Sequence, residues 1–240
     1  MFNLFKKSTP TIQDWNLTID IHNHVLPGID DGAKDTKDSL LLIQGLHELG
    51  FKTIIPSPHI ASGLYANTKD SIQGSLQNIQ AEGDVNHAVA EYMLDEFFNQ
   101  ELAKGLMIYP NQVEKKYVLV EFPYLALPPL WHEMVFEIRR NGYQPILAHP
   151  ERYNYISRAD QMDKFVNVGF EFQLNLLSLS GYYGKDVKLR ADQYVNESYY
   201  DFAGTDLHHF NHLQALNAMK RDEKVSFKIA NYPFQNHLLI

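Results

Sequence analysis

Short apolar runs alternate with helix-like segments along almost the whole chain, and this alternation limits the folds that the chain can adopt. Such an alternation is typical of a parallel sheet with crossover helices. Seven runs qualify as strands: Leu17–His22, Thr53–Ser57, His87–Glu91, Val118–Phe122, Pro145–His149, Glu171–Asn175 and Phe202–Asp206. Seven such units in 240 residues predict an α/β fold built as a barrel or near-barrel, in a single domain spanning residues 1–240.

Two of the intervening helices have clear start and stop signals. Ser39–Leu49 is preceded by Asp38, which we expect to cap it, and is followed by Gly50. Leu130–Asn141 follows two prolines and stops at Gly142. The apolar spacing predicts two further helices, over Thr68–Ala81 and Asn211–Met219.

The composition excludes several classes of function. The chain has no cysteine, so disulfides, thiolate metal sites and cysteine nucleophiles are ruled out. A formal charge of −8 argues against a broad nucleic-acid surface. No apolar stretch approaches the roughly 18 residues that span a bilayer, and residues 1–15 read as an N-terminal extension without a secretory signal. We therefore expect a cytoplasmic protein without stable membrane insertion.

Residues able to bind a metal ion stand at or near the ends of six of the seven predicted strands. Since the carboxyl ends of the strands in a barrel meet at one mouth, these side chains are expected to converge. A loop after the first strand adds Asp30 and Asp31. The full set is His22, His24, Asp31, His59, Glu91, Glu121, His149, Asp206 and His208.

This set of donors points to a metal centre. Nine donors are too many for one ion and suit three, if one carboxylate bridges two of them. Nitrogen and carboxylate donors without thiolate favour manganese, with iron or zinc as alternatives and magnesium disfavoured. Three divalent cations carry more charge than the four carboxylates in the set, so the site would attract an anionic substrate such as a phosphate ester.

Several motifs resemble those of the polymerase-and-histidinol-phosphatase (PHP) superfamily and, within it, the bacterial tyrosine phosphatases of capsule and exopolysaccharide loci. The matching segments are Asp20-Ile21-His22-Asn23-His24-Val25-Leu26-Pro27-Gly28-Ile29-Asp30-Asp31-Gly32, Pro58-His59, Ala90-Glu91-Tyr92, Val120-Glu121-Phe122, Ala148-His149-Pro150-Glu151-Arg152-Tyr153 and Thr205-Asp206-Leu207-His208. They run in order over nearly the whole chain. The resemblance implies a distorted, TIM-like (β/α)7 barrel with a metal centre at the carboxyl ends of the strands.

The resemblance also implies an assignment of roles. One ion would be held by His22, His24, Glu91 and Asp206, a second by Glu91, Glu121 and His149, and a third by Asp31, His59 and His208. Arg152 would bind the phosphate. Relatives often carry a second arginine after the Asp-x-His motif, where this chain has His209 and His212. We expect one of these to replace it, and His209 to act as a weak general acid.

Asp20 carries a separate expectation. It is two residues before His22, so we expect it to share the face of the strand that carries the metal ligands. There it would accept a hydrogen bond from the ring of a ligand histidine. The alternative is that Asp20 pairs with an arginine or lysine at the other end of the barrel.

Three functions compete at this point. The leading one is a metal-dependent phosphotyrosine protein phosphatase, whose substrate the resemblance places in the tyrosine-rich tail of a cognate kinase of polysaccharide export. The alternative is a PHP phosphoesterase that acts on a small metabolite such as histidinol phosphate. The third is a metal-binding or regulatory module without catalysis, against which the complete donor set argues. Turnover of an aryl phosphate separates the third from the first two.

Overall fold

Parallel strands and surrounding helices form the computed structural model of the chain, which describes residues 14–111, 114–156 and 159–240. The strands are β1 (Ile19–Asp20), β2 (Thr53–Ile54), β3 (His59–Ile60), β4 (Glu91–Met93), β5 (Lys116–Glu121), β6 (Tyr143–Ala148), β7 (Glu171–Asn175) and β8 (Phe202–Gly204). The helices are α1 (Thr36–Leu49), α2 (Lys69–Gln77), α3 (Gln80–Gly83), α4 (Phe98–Ala103), α5 (Trp131–Arg140), α6 (Ala159–Val168), α7 (Leu176–Ser180), α8 (Lys185–Asn196), α9 (Phe210–Lys220) and α10 (Glu223–Asn231). Short 3-10 helices cover Pro150–Arg152 and Asn236–Leu239.

Strand pairing is parallel throughout the described residues. β1 pairs with β2, and β3 to β8 form a six-stranded sheet in chain order. Backbone hydrogen bonds join the two sheets at both edges: Val89 N donates to Pro56 O (2.8 Å), and His24 N donates to Leu207 O (2.9 Å). The carboxyl ends of all the strands therefore lie on the same side.

The second and third predicted strands differ most from the expectation, and the third, His87–Glu91, shares only Glu91 with β4. Thr53–Ser57 is a strand only at β2, and β3 begins two residues beyond its predicted end. Pro56 and Pro58 interrupt it because proline has no N–H to donate to a ladder. Their carbonyls still accept, Pro56 O from Val89 N and Pro58 O from Glu91 N. The regular ladders thus form two sheets, whereas the sequence predicts one barrel sheet.

The helix boundaries correct one prediction. Asp38 does not cap α1, which begins at Thr36. Asp35 is the cap, and its side chain accepts a hydrogen bond from Asp38 N. Gly50 ends the helix in the left-handed region, at φ 104°, as glycine readily does. The segment predicted as one helix over Thr68–Ala81 breaks into α2 and α3, while α5 and α9 lie within one residue of their predicted bounds.

A small apolar cluster lies under the carboxyl ends of the strands. Leu119 and Val89 belong to it, and each stands two residues before a glutamate, Glu121 or Glu91. Because side chains two apart in a strand share a face, the glutamates extend the same face beyond this apolar layer. Helices cover the other face through a larger cluster that includes Val118 and Leu147. The polar residues at the strand ends therefore lie directly above a buried apolar layer.

None of the helices in the described ranges combines the length and apolarity that crossing a bilayer requires. Of the predicted extension over residues 1–15, residues 1–13 lie outside the described residues.

Candidate metal centre

The nine predicted donors lie together at the carboxyl side of the strands. Each belongs to at least one group of three or four side chains whose ligand atoms lie within 4.8 Å of one another. The four groups are His24, Asp31, His59 and His208; His22, His24 and Glu91; His22, His149 and Asp206; and His59, Glu91 and Glu121. Several donors belong to two groups, so the groups form one continuous cluster.

Glu91 lies at the middle of this cluster and is fully buried, with a side-chain exposure of 0%. Its Oε2 lies 3.1 Å from His22 Nε2 and 3.1 Å from His59 Nδ1, and its Oε1 lies 3.2 Å from His149 Nε2. Burial alone would raise the pKa of this carboxyl, but His22 and His59 hold its pKa well below its usual range. Glu91 is therefore ionised and faces several ligand nitrogens at once, as a bridging carboxylate would.

Asp206 forms the second buried carboxylate of the cluster. Its Oδ1 lies 3.4 Å from the Nε2 atoms of both His22 and His24. Burial opposes ionisation here too, yet the nearby positive charges of His22 and Arg152 hold the pKa of Asp206 well below its usual range. Two ionised carboxylates thus share one dry site with neighbouring histidine rings.

One edge of the cluster is open to solvent. The Asp31 side chain is 52% exposed, and its Oδ1 lies 3.5 Å from His59 Nε2 and 3.6 Å from His208 Nε2. His59 also reaches inward, with Nδ1 3.0 Å from Glu121 Oε1. This edge is where solvent reaches the cluster.

The side chains present fit a set of metal ions. Within the described residues, six buried side-chain atoms have no hydrogen-bond partner, and five of them belong to predicted ligands: His59 Nδ1, both carboxylate oxygens of Glu91, Glu121 Oε2 and His149 Nδ1. A buried unpaired carboxylate is costly unless a cation balances it. Histidine nitrogens and carboxylate oxygens at these spacings are suitable ligands for manganese, iron or zinc.

Two side chains to which the sequence analysis assigned no role orient the ligand histidines. Gln173 Oε1 lies 2.8 Å from His22 Nδ1, and Asp30 Oδ2 lies 2.8 Å from His24 Nδ1. Such contacts fix the ring orientation and the tautomer of a ligand histidine. The available signal for Gln173 was a polar residue in the middle of β7, the one predicted strand to which no ligand was assigned.

Asp20 does not have the predicted role. Its carboxylate accepts from Thr205 N (2.9 Å), Thr205 Oγ1 (2.6 Å) and Asn23 Nδ2 (3.1 Å), and from His22 only through the backbone N–H. Among the described residues, no arginine or lysine forms an ion pair with Asp20, so the alternative is not observed either. β1 ends at Asp20, so strict alternation does not continue to the histidines. Asp20 instead ties the first strand to the segment that carries Asp206.

Arg152 follows His149 by three residues and reaches the cluster, where Nη1 pairs with Asp206 Oδ2. Arg152 does not pair with the adjacent Glu151, because the Glu151 carboxylate is buried and accepts from Asn175 N, Ser178 Oγ and Tyr200 OH. The Arg152 side chain remains 20% exposed. It therefore presents a cation at the border between the buried carboxylates and solvent.

His209 and His212 have different environments. His209 is exposed and caps α9, with Nδ1 accepting from His212 N at 3.4 Å. His212 is buried, its Nδ1 accepts from His208 N, and burial lowers its pKa to about 4. His212 is therefore neutral near pH 7 and unsuited to replace a phosphate-binding arginine.

Close backbone packing shapes the site. His149 and Asp206 have φ of 37° and 51°, in the left-handed region that non-glycine residues seldom adopt. Gly204 lies so near β1 that a Cβ built on it would be 2.6 Å from His22 Cβ. A Cβ on Gly32 would be 1.9 Å from His24 O. These contacts explain glycine next to ligand positions.

A family model described as capsular polysaccharide synthesis, CpsB/CapC, matches residues 18–226. The chain belongs to the CpsB/CapC family. Its relatives include the tyrosine-protein phosphatase YwqE of Bacillus subtilis, which is 29% identical over 85% of this chain and 84% of its own length. The tyrosine-protein phosphatase CpsB of Streptococcus agalactiae is 26% identical over 80% and 84%. The predicted resemblance to bacterial capsule-type tyrosine phosphatases is confirmed.

Solved structures agree with this family assignment. One belongs to the crystal structures of YwqE from Bacillus subtilis and CpsB from Streptococcus pneumoniae, described as unique metal-dependent tyrosine phosphatases. It superposes with a TM-score of 0.74 at 28% identity, over 92% of this chain and 93% of the other. A mutant organophosphorus hydrolase from Deinococcus radiodurans reaches a TM-score of 0.51 at 11% identity over 95% and 94%, a likeness of fold alone. The α/β class predicted for this CpsB/CapC member is confirmed.

Proposed function

We propose that this CpsB/CapC member is a metal-dependent phosphatase that hydrolyses phosphotyrosine in a protein substrate. The observation that carries the proposal is the environment of Glu91, a buried, ionised carboxylate without a hydrogen-bond partner and surrounded by histidine nitrogens. Such a carboxylate needs cations, and a cluster of cations needs an anionic ligand such as phosphate. The names of the relatives supply the tyrosine specificity.

We propose that three ions, with manganese favoured, occupy the cluster. The grouping implied by the resemblance remains our assignment, with Glu91 shared between two ions. Two features of the geometry extend it, because His59 Nδ1 also faces Glu91 and Glu121, and His149 also groups with His22 and Asp206. When bound, such ions lower the pKa of a coordinated water and offset charge on phosphoryl oxygens.

The chain's own residues would provide binding and proton transfer. Arg152 lies beside Asp206 with its guanidinium partly open to solvent, in position to donate hydrogen bonds to phosphate oxygens. His209 is exposed and stands one residue after the predicted ligand His208. We assign its imidazolium form to give a proton to the departing phenolate, whose conjugate acid has a pKa of about 10 in water, which leaves His209 as a neutral imidazole.

The finer features of fold and setting belong to the same proposal. We infer that the two sheets make one distorted (β/α)7 barrel, in which residues 53–60 act as a single interrupted strand. The hydrogen bonds at both sheet edges support this inference. As substrate we propose the tyrosine-rich tail of a kinase of polysaccharide export. Because such kinases use ATP, the chain would work in the cytoplasm.

Parallel turnover assays test the proposal. The metal-free protein, reloaded with manganese, iron, zinc or magnesium, is assayed on a phosphotyrosine peptide, a phosphoserine peptide and histidinol phosphate. We expect activity to require metal and to be highest on the phosphotyrosine peptide. Preference for histidinol phosphate would favour the small-metabolite enzyme, and absence of all turnover in fully loaded protein would leave a non-catalytic metal-binding module.

A further inference from the structure

Arg152 contacts the rings of two tyrosines. Its guanidinium carbon lies 5.0 Å from the ring centroid of Tyr124 and 4.2 Å from that of Tyr183. A guanidinium over an aromatic face within about 6 Å is attracted to the ring. The cation assigned to phosphate binding is therefore bordered by aromatic surface.

Tyr183 is tied to the metal-ligand cluster by hydrogen bonds. Asn175 Nδ2 donates to Tyr183 Oη (3.2 Å) and to Asp206 Oδ2 (2.8 Å). Tyr183 is half-buried. These contacts suit a residue that positions Arg152 relative to Asp206.

Tyr124 is placed differently. It lies three residues after β5, and its ring stacks on the ring of His149, with the ring centroids 5.9 Å apart and the ring planes inclined by 21°. It also packs 5.6 Å from Tyr153, which is buried. Yet Tyr124 is 43% exposed. Part of its ring is fixed against a ligand histidine while part faces solvent beside Arg152.

We propose that Tyr124 is a specificity-determining residue that packs against the aromatic ring of aryl phosphate esters, with Tyr183 positioning the guanidinium. This rests on the proposed function, in which Arg152 binds the phosphate.

The distances favour such a contact. In an aryl phosphate the ring is attached directly to a phosphate oxygen, so a phosphate held by Arg152 brings that ring close to the guanidinium. The Tyr124 centroid is 5.0 Å from the guanidinium carbon, and aromatic pairs interact at centroid separations of roughly 4.5–7 Å. An alkyl phosphate has no ring to place there. Tyr124 therefore distinguishes aryl from alkyl phosphate esters, while Arg152 binds the phosphate group that both share.

Binding measurements on manganese-loaded protein test this without turnover. The dissociation constants of phenylphosphonate and ethylphosphonate are compared by titration calorimetry for wild type, Tyr124→Leu and Tyr124→Phe. The matched control is Tyr182→Leu. Tyr182 is 41% exposed and contacts Tyr183, whereas the rings on which Arg152 stacks are those of Tyr124 and Tyr183.

We expect Tyr124→Leu to weaken phenylphosphonate binding roughly 3- to 10-fold and ethylphosphonate binding less than twofold. Tyr124→Phe and Tyr182→Leu should stay within twofold of wild type for both ligands. Equal weakening of the binding of both ligands by Tyr124→Leu would overturn the proposal, since the Tyr124 ring would then act only through Arg152. Unchanged phenylphosphonate binding in that variant would overturn it as well. Metal content is measured for every variant, and Tyr124→Gln replaces Tyr124→Leu if that variant does not retain manganese.

The proposed function fails by a different result. If wild type does not hydrolyse phosphotyrosine peptides, the phosphatase proposal falls even where phenylphosphonate still binds through Tyr124. A working phosphatase with equal losses of the two phosphonates rejects the role of Tyr124 alone.

Discussion

The Nδ1 atom of His22 lies 2.8 Å from the side-chain oxygen of Gln173. The amide nitrogen of Gln173 donates to Leu174 O, which leaves the oxygen to accept from the ring. With a metal ion on Nε2, which faces Glu91 and Asp206, His22 would therefore keep its proton on Nδ1. A glutamine in β7 thus orients a histidine that stands two residues after β1.

Replacing Gln173 with alanine should weaken metal binding about 10- to 100-fold, because the His22 ring loses the acceptor that fixes its tautomer. Metal affinity is measured by competition with a chelator. Gln44→Ala is the control, since Gln44 is exposed and bonds only within α1, to Glu48. Equal affinities in the two variants would remove Gln173 from this role.

Glu91→Gln should lose more than one equivalent of metal. The amide keeps the shape of the carboxylate but removes the charge that faces His22, His59 and His149. Elemental analysis after exhaustive dialysis measures the content, with exposed Glu48→Gln as the matched change. Full metal content together with unchanged turnover would contradict the bridging role.

Arg152→Ala should lower kcat/KM about 10- to 100-fold, the loss expected for a charge-assisted hydrogen bond to phosphate. Metal content should stay near that of wild type. Arg140→Ala removes a surface arginine that pairs with Glu137 and should change neither quantity. Near-normal kcat/KM in Arg152→Ala would limit Arg152 to its ion pair with Asp206.

Gly204→Ala should destabilise the metal-free fold by roughly 1–3 kcal/mol, because the new Cβ would meet His22 Cβ at 2.6 Å and force β1 and β8 apart. Gly74→Ala, inside α2 with no atom within 4 Å of the added Cβ, should stabilise it by about 0.5–1 kcal/mol. Urea unfolding measures both free energies. Equal stability of Gly204→Ala and wild type would show that the strands yield without cost.

Local pattern was sufficient for most of the strands. β7 has the bounds predicted from Glu171–Asn175, because polar and apolar residues alternate without interruption between the turn at Gly169 and the cap of α7 at Asn175. β3 was missed, since two residues after Pro58 form no apolar run and become a strand only by pairing with β4. The broken second strand was therefore decided by tertiary hydrogen bonding.

In the candidate site too, features set by local sequence were predictable and contacts between distant segments were not. Residues at strand ends were recognisable because a parallel fold sends those ends to one side, whatever the details of packing. Tyr124 and Arg152 are 28 positions apart, and nothing local predicts their stacking. The same holds for Gln173, whose contact with His22 spans 151 positions. The sequence therefore indicated the predicted ligands but gave no sign of the side chains that contact them.

The left-handed backbone at His149 and Asp206 sets stability against activity. Each such conformation costs on the order of 1–3 kcal/mol in a residue with a side chain. Glycine would relieve this backbone strain but would remove a predicted metal ligand. The side chains offset that cost through their own contacts, such as the ion pair between Asp206 and Arg152. If backbone conformation alone decided the residue at these two corners, glycine would be the most stable choice, so a histidine and an aspartate there mark positions where a side chain is needed.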